Sequence, residues 1–331
     1  MPEIFDDKSK YCIPFLLGHL KRHQEHHAGN ADPPPFFLGL NGVQGAGKTV
    51  LVSAEESYHK TLRSPPYCLP TVTMSLDDIY LTRVDQITLA AAHPDNPLLQ
   101  HRGQPSTHDL ILGEKVFSSL RENRPTAIPQ YDKSAFAGQG DRVSEETWEV
   151  VNRVAEEKIK VVIFEGWCVG FRAVDEATLK EKWVSAVSQK NQGNYTGRLA
   201  YVGFQDIKTV NEALKRYDIL TDHLDALIHI LFTDTIVTPH YSDAENLHFV
   251  YDWRQEQERS LRLTKGIGMT EEQVNHFVDG YYPSYELFVN PLRDGVFKST
   301  PEWRTSEADW KGRQLRLIVD KNRKVQEAVL I

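Results

Sequence analysis

Residues 36–52 constrain the fold of this chain more than any other stretch. An apolar run, Phe36-Phe37-Leu38-Gly39-Leu40, reads as a strand and feeds a glycine-rich turn. The turn ends in Gly47-Lys48-Thr49, and a helix-compatible segment follows. The spacing G-x-x-x-x-G-K-T is met by Gly42, Gly47, Lys48 and Thr49, with Gly45 as a further glycine inside the loop. Glycines reach backbone angles closed to other residues, so successive N–H groups can point inward at one anion. The following helix starts at that anion and adds the positive end of its dipole. The expected nucleotide-binding residues are therefore Gly42, Val43, Gln44, Gly45, Ala46, Gly47, Lys48, Thr49 and Val50. In such a loop the lysine reaches the β- and γ-phosphates, and the Thr49 hydroxyl holds Mg²⁺. A glycine turn with a chance lysine is the plain alternative, and the strand-before, helix-after context weighs against it.

The 331 residues suffice for one large or two small domains. The formal net charge of −8 argues against a general nucleic-acid binder, which carries a basic footprint. It leaves room for a local basic pocket. Cys12, Cys68 and Cys168 have neither paired nor metal-type spacing and read as reduced thiols of a cytoplasmic protein. Glu3, Asp6 and Asp7 speak against a secretory or mitochondrial presequence. No apolar run approaches the roughly 18 residues of a membrane span.

Residues 11–27 read as a helix bearing His19, His23, His26 and His27 near one face. Histidines four apart can bind a metal, but no carboxylate or cysteine completes the set, so a solvated or packed face is the better reading. Pro33-Pro34-Pro35 makes a stiff linker. The expected organisation is therefore an N-terminal helix and linker over 1–35, then one domain over 36–331 with insertions at about 83–109 and 172–206. A second strand, 71–76, ends in Asp77-Asp78-Ile79-Tyr80. In open α/β sheets chemistry gathers at the carboxyl ends of strands, and neighbouring strand residues point oppositely, so one of the two acids is expected to face the phosphates. A helix N-cap pair is the alternative. Ser106 and Asp109 are spaced as a capping box ahead of an apolar helix from Leu110 to Leu120. That spacing leaves Arg102 unexplained. Tyr131, Asp132 and Lys133, followed by Gly140-Asp141-Arg142, suit a ligand-facing loop or a mobile surface loop equally. The strand 160–167 ends in Glu165, where an acid after a phosphate loop holds or orders the Mg²⁺ shell.

Further strands are expected at 226–232 and 315–319, with helices over 210–220 and from Thr270 on. Arg254, Arg259 and Arg262 fall within about 140° of a helical arc. They fit a lid that closes over phosphates, or a solvated face with an ion pair such as Glu258–Arg262. Strands alternating with helices predict one three-layer α/β domain with a mostly parallel sheet.

The phosphate loop and the two acid-ended strands together resemble the phosphoribulokinase, uridine kinase and pantothenate kinase group. More closely, Ser75-Leu76-Asp77-Asp78-Ile79-Tyr80-Leu81-Thr82, Arg102-Gly103-Gln104-Pro105-Ser106-Thr107-His108-Asp109, Tyr131-Asp132-Lys133-Ser134-Ala135 and Phe164-Glu165-Gly166-Trp167 resemble the plant-type D-glycerate 3-kinase family and its fungal ATP-dependent kinase relatives. The resemblance implies a P-loop kinase fold with helices on both faces and insertions forming the acceptor site and lid. It implies ATP as co-substrate with Mg²⁺, and a small, anionic hydroxyl acceptor. It places the general base at Asp77, a metal-site acid at Glu165, and the closing-helix arginines at Arg254, Arg259 and Arg262. Asp78, Tyr80, Arg102, Tyr131, Asp132, Lys133 and Arg142 are the expected acceptor-side residues. A nucleoside or another alcohol as acceptor, or a non-catalytic ATP-binding regulator, stays open at this point.

Overall fold

A computed structural model describes residues 7–46, 48, 62–232, 249–265, 268–299 and 310–331. Of the phosphate-loop residues, Gly47, Thr49 and Val50 lie outside the described residues.

Ten strands are present among the described residues: β1 Phe36–Gly42, β2 Thr71–Ser75, β3 Thr126–Ile128, β4 Tyr131–Asp132, β5 Asp141–Arg142, β6 Glu149–Val151, β7 Val161–Gly166, β8 Ala226–Phe232, β9 Gln314–Val319 and β10 Val325–Leu330. Six of them form the central sheet in the order β10-β9-β8-β1-β7-β2. The pairs β2–β7, β7–β1, β1–β8 and β8–β9 are parallel, and only β10 runs antiparallel to its neighbour. Parallel strands need crossovers that cover both sheet faces, so the inner strands are apolar throughout. β1 and β8 are buried along their whole length, and β7 is buried except at Glu165. One acid therefore interrupts an otherwise dry strand, one residue before its carboxyl end. Register places Glu165 beside Leu40 of β1 on one side and Ser75 of β2 on the other. The ends of β1, β2 and β7 thus share one edge of the sheet.

The N-terminal helix, Ser9–His26, packs against β1 and β8 and contributes Phe15, Leu16 and Leu20 to the same apolar core. Two of its histidines are used in packing. His19 Nε2 meets the Gly312 carbonyl and His23 Nε2 the Pro34 carbonyl, each at 2.8 Å. Among the described residues no group of three metal-ligating side chains is found. No described helix is long and apolar enough to cross a membrane.

Several elements differ from the sequence expectation. The proline-containing excursion after β2 holds a helix, Arg83–Ala92, capped by Thr82 through the Asp85 N–H. The helix Leu110–Arg121 is capped by Asp109, whose carboxylate accepts from Leu112 N at 3.0 Å. Ser106 does not cap it: its φ is +106°, and its own N–H donates to the Tyr217 hydroxyl. The helix expected over 210–220 is two, Phe204–Lys215 and Asp218–Thr221. The aromatic group at 281–285 is buried and opens a further helix, Tyr282–Asp294. β10 was not expected at all.

Residues 126–151 form a two-tier antiparallel arm. β3 pairs with β6 at its base, and β4 pairs with β5 further out, with Tyr131 opposite Arg142. β4 of this arm packs against the turn that follows β2, and the arm carries Tyr131, Asp132, Lys133 and Arg142.

Candidate active site

The site grows from the shared strand edge. After β1 the chain turns through residues 43–46, closed by an Ala46 N–H to Val43 carbonyl bond of 3.2 Å. Gly45 has φ +79°, and a Cβ there would stand 2.5 Å from Cβ of Trp253, so only glycine fits on both counts. The carbonyl of Gly45 accepts from Arg323 Nε at 2.7 Å, and the same guanidinium reaches Glu256 Oε2 at 2.6 Å. Trp253 Nε1 donates to the Lys321 carbonyl at 2.9 Å. The phosphate loop is thus clamped by the helix Phe249–Lys265 and by the β9–β10 turn. Sequence reading had assigned Arg323 and Trp253 no role, and no local pattern marks them.

Lys48 folds back onto its own loop, donating to the Gly42 carbonyl at 2.5 Å and the Val43 carbonyl at 3.3 Å. Burial lowers the pKa of its ammonium, while Glu165 and Asp77 oppose that shift. The two strand-end acids therefore lie close enough to Lys48 for their charges to be felt. Glu165 supplies hard oxygen donors next to the loop, the donor type Mg²⁺ takes alongside phosphate oxygens.

The Asp77-Asp78 pair divides its labour. Residues Leu76–Ile79 form a single 3₁₀ turn capped by Ser75. Asp78 closes the capping box: its Oδ2 accepts the Ser75 N–H at 3.0 Å. Its carboxyl is pushed up to about 6, first by burial and, against the Ser75 hydrogen bond, by the charge of Asp77. Asp78 therefore serves the turn through Oδ2. Asp77 points the other way, into an ion pair with Lys133 Nζ. Burial raises the Asp77 pKa, but the charge and hydrogen bond of Lys133 outweigh it, with help from Tyr80, and hold the carboxyl below the usual carboxylate range. The Tyr80 hydroxyl lies against the Asp77 carboxylate, and burial with that charge keeps it protonated.

The arm's other residues, and Arg102 beside it, have structural partners. Arg102 donates to the carbonyls of Lys133 (3.3 Å), Gly138 (2.7 Å) and Gln139, and its guanidinium lies 5.7 Å from the Tyr131 ring centre. A Cβ at Gly140 (φ +78°) would stand 2.5 Å from Tyr131 and 2.9 Å from Arg102. Arg142, opposite Tyr131, donates to the Tyr80 carbonyl at 2.9 Å and to Asp109 Oδ2 at 3.1 Å. Asp132 accepts from the Ser134 N–H and hydroxyl at 2.8 and 2.6 Å, which shapes the turn. Tyr131 packs edge-on against Tyr80 with ring centres 5.3 Å apart. Arg142 and Asp132, expected on the acceptor side, hold protein partners within and beside the arm, and Arg102, expected there too, braces the arm from outside it. Of the acceptor-side cations, Lys133 is the one that meets Asp77.

The arginines of Phe249–Lys265 are also engaged. Arg254 pairs with the buried Glu258 at 2.5 Å and its guanidinium lies 5.1 Å from the Phe277 ring centre. Arg262 donates to the Met269 carbonyl. Arg259 lies 3.8 Å from Glu271, both exposed. The ion pair at helical spacing is Arg254–Glu258, not Glu258–Arg262, and in this conformation the three do not form a free cationic face.

His108 is a residue that sequence reasoning left without a role. Its ring stacks on Tyr80 with centres 4.4 Å apart, and Nδ1 meets the Tyr217 hydroxyl at 2.6 Å. Tyr217 also accepts from the Ser106 N–H at 3.2 Å, so one hydroxyl joins both residues. Burial lowers the His108 pKa to about 3. The one available signal was its place in the stretch from Arg102 to Asp109.

Comparison with known proteins follows this geometry. "Uncharacterized kinase mug58" of Schizosaccharomyces pombe is 35% identical over 264 residues, 79% of this chain and 84% of that protein. "D-glycerate 3-kinase, chloroplastic" of Arabidopsis thaliana is 31% identical over 301 residues, 88% of this chain and 57% of the plant protein. Among solved structures, D-glycerate 3-kinase from Cryptococcus neoformans matches with a TM-score of 0.79 at 32% identity, covering 98% of this chain and 99% of that one. No protein-family model matches the chain.

Proposed function

This chain belongs to the kinase family of D-glycerate 3-kinase and its fungal relatives, and on that premise we propose that it phosphorylates a hydroxyl of D-glycerate or a similar hydroxy acid from ATP. The reading is carried by one observation: an acid paired with an exposed lysine, Asp77 with Lys133, on the sheet edge that also bears Lys48. An anionic acceptor needs a cation beside the base, and this pair supplies both.

Phosphoryl transfer asks mainly for positioning and charge stabilisation. Residues 42–50 would grip the triphosphate through backbone N–H groups. Lys48 would leave its loop carbonyls for the β- and γ-phosphates and stabilise charge on the transferred group. Asp77 would orient the acceptor hydroxyl and take its proton. Tyr80 would hold Asp77 in place. Glu165 and Thr49 would hold Mg²⁺, which when bound neutralises phosphate charge.

A coupled ATP-consumption assay over hydroxy acids, nucleosides and pantothenate-like alcohols tests the reading. Turnover with hydroxy acids and none with neutral nucleosides is expected. Turnover confined to nucleosides would replace the acceptor, and ATP binding without any turnover would make the protein a nucleotide-binding regulator.

A further inference from the structure

Resting on that reading, we propose that Lys133 is an acceptor-sensing gate: without acceptor it holds Asp77 in an ion pair, and an acceptor carboxylate frees Asp77 by replacing it on Lys133. The observation is the pair itself and where its two halves are mounted. Asp77 stands on a capped turn at the end of β2, fixed by Ser75 and flanked by Tyr80. Lys133 stands just beyond β4, at the start of the turn that joins the arm's outer strands. Its backbone carbonyl is pinned by Arg102, whereas its side chain is 56% exposed, against 24% for Asp77. The lysine backbone is therefore fixed while its ammonium can change partners.

The groups acting on Asp77 from neighbouring elements are Lys133, Tyr80 and His108, with Lys48 and Asp78 sensing its charge from the loop side and the turn. His108 is neutral, so Lys133 is the cation that binds it directly. Exchange of one carboxylate for another on Lys133 keeps the charge balance. A neutral acceptor must break the pair with nothing in return, and charge-assisted hydrogen bonds make that a penalty on the order of 10- to 100-fold. The gate thus selects acceptors that carry a carboxylate near the reacting hydroxyl.

It also restrains waste. In the productive step the acceptor's hydroxyl proton passes to Asp77, its oxygen bonds to the γ-phosphorus, and the bond from that phosphorus to the β–γ bridging oxygen breaks, its electron pair leaving on ADP. Water in the acceptor's place would give hydrolysis by the same bond changes. With Asp77 held by Lys133, that base is withheld until an acceptor arrives.

The test compares D-glycerate with glycerol, which carries a CH₂OH group in place of the carboxylate, and adds acceptor-free ATP hydrolysis, in the wild-type protein and in Lys133→Met and Lys133→Arg. The glycerate-to-glycerol ratio of kcat/KM is expected to fall on the order of 10- to 100-fold in Lys133→Met, with acceptor-free hydrolysis rising. Lys133→Arg should keep both near wild type. An unchanged ratio, or equal loss on both acceptors, overturns the proposal. If the wild-type protein phosphorylates no hydroxy acid, the functional reading fails by itself. Hydrolysis then still decides the restraint: a rise in Lys133→Met upholds it and an unchanged rate overturns it.

Discussion

The strand edge and the arm reach the same point by different means. Asp77 and Glu165 are delivered by the sheet: once β2, β7 and β1 pair in parallel register, both acids must end beside the loop that carries Lys48. Their placement follows from backbone hydrogen bonding and the buried apolar runs before them. The cations come from the arm, from Arg102 beside it and from the helix Phe249–Lys265, where each guanidinium is claimed by whatever oxygen lies within reach. Arg102 is held by three carbonyls, Arg142 by Asp109 and Tyr80, Arg254 by Glu258. Acids at strand ends are positioned before they find partners, whereas arginines on long side chains are positioned by their partners.

Three substitutions press on that contrast. Asp77→Asn has the largest expected effect: turnover falls by a factor on the order of 10² or more while ATP affinity is retained, measured by coupled assay and by nucleotide titration. Unchanged turnover would detach the strand edge from the chemistry. Arg142→Ala comes next. Its guanidinium is largely buried between Tyr80 and Asp109, so its removal should cost about 1–3 kcal/mol of stability, read as a lower denaturant midpoint. Turnover of the folded fraction should persist. A variant that keeps full stability but loses acceptor affinity would show that this arginine serves the ligand after all. Arg259→Ala is the smallest, because the 3.8 Å pair with Glu271 is exposed and worth at most about 1 kcal/mol. Stability and turnover should both stay close to wild type. A large loss of turnover would mean that Phe249–Lys265 closes over the nucleotide in another conformation.

What was readable in the chain tracks the strength of local signals. β8 was expected at its observed limits, and β1, β2, β7 and β9 to within two residues, because continuous apolar runs bounded by turn residues leave few alternatives. β10 escaped notice since Gln326, Glu327 and Ala328 are exposed in succession and it forms a sheet edge with no apolar alternation. Ser106 carried a cap-like spacing, yet its N–H is taken by Tyr217, more than a hundred residues away. The break at Arg216-Tyr217 that splits one expected helix in two serves the same hydroxyl, which also holds His108.

The sequence by itself determined the α/β class, the loop that must bear glycine, and the acids that end two strands, because each depends on backbone geometry within a few residues. The tertiary structure alone decided that Asp78 caps its turn while Asp77 faces Lys133, and that Arg323 and Trp253 brace a loop some 200 residues or more before them. Which oxygen a long charged side chain finds depends on what folding brings within about 3 Å of it, and spacing along the chain carries no record of that.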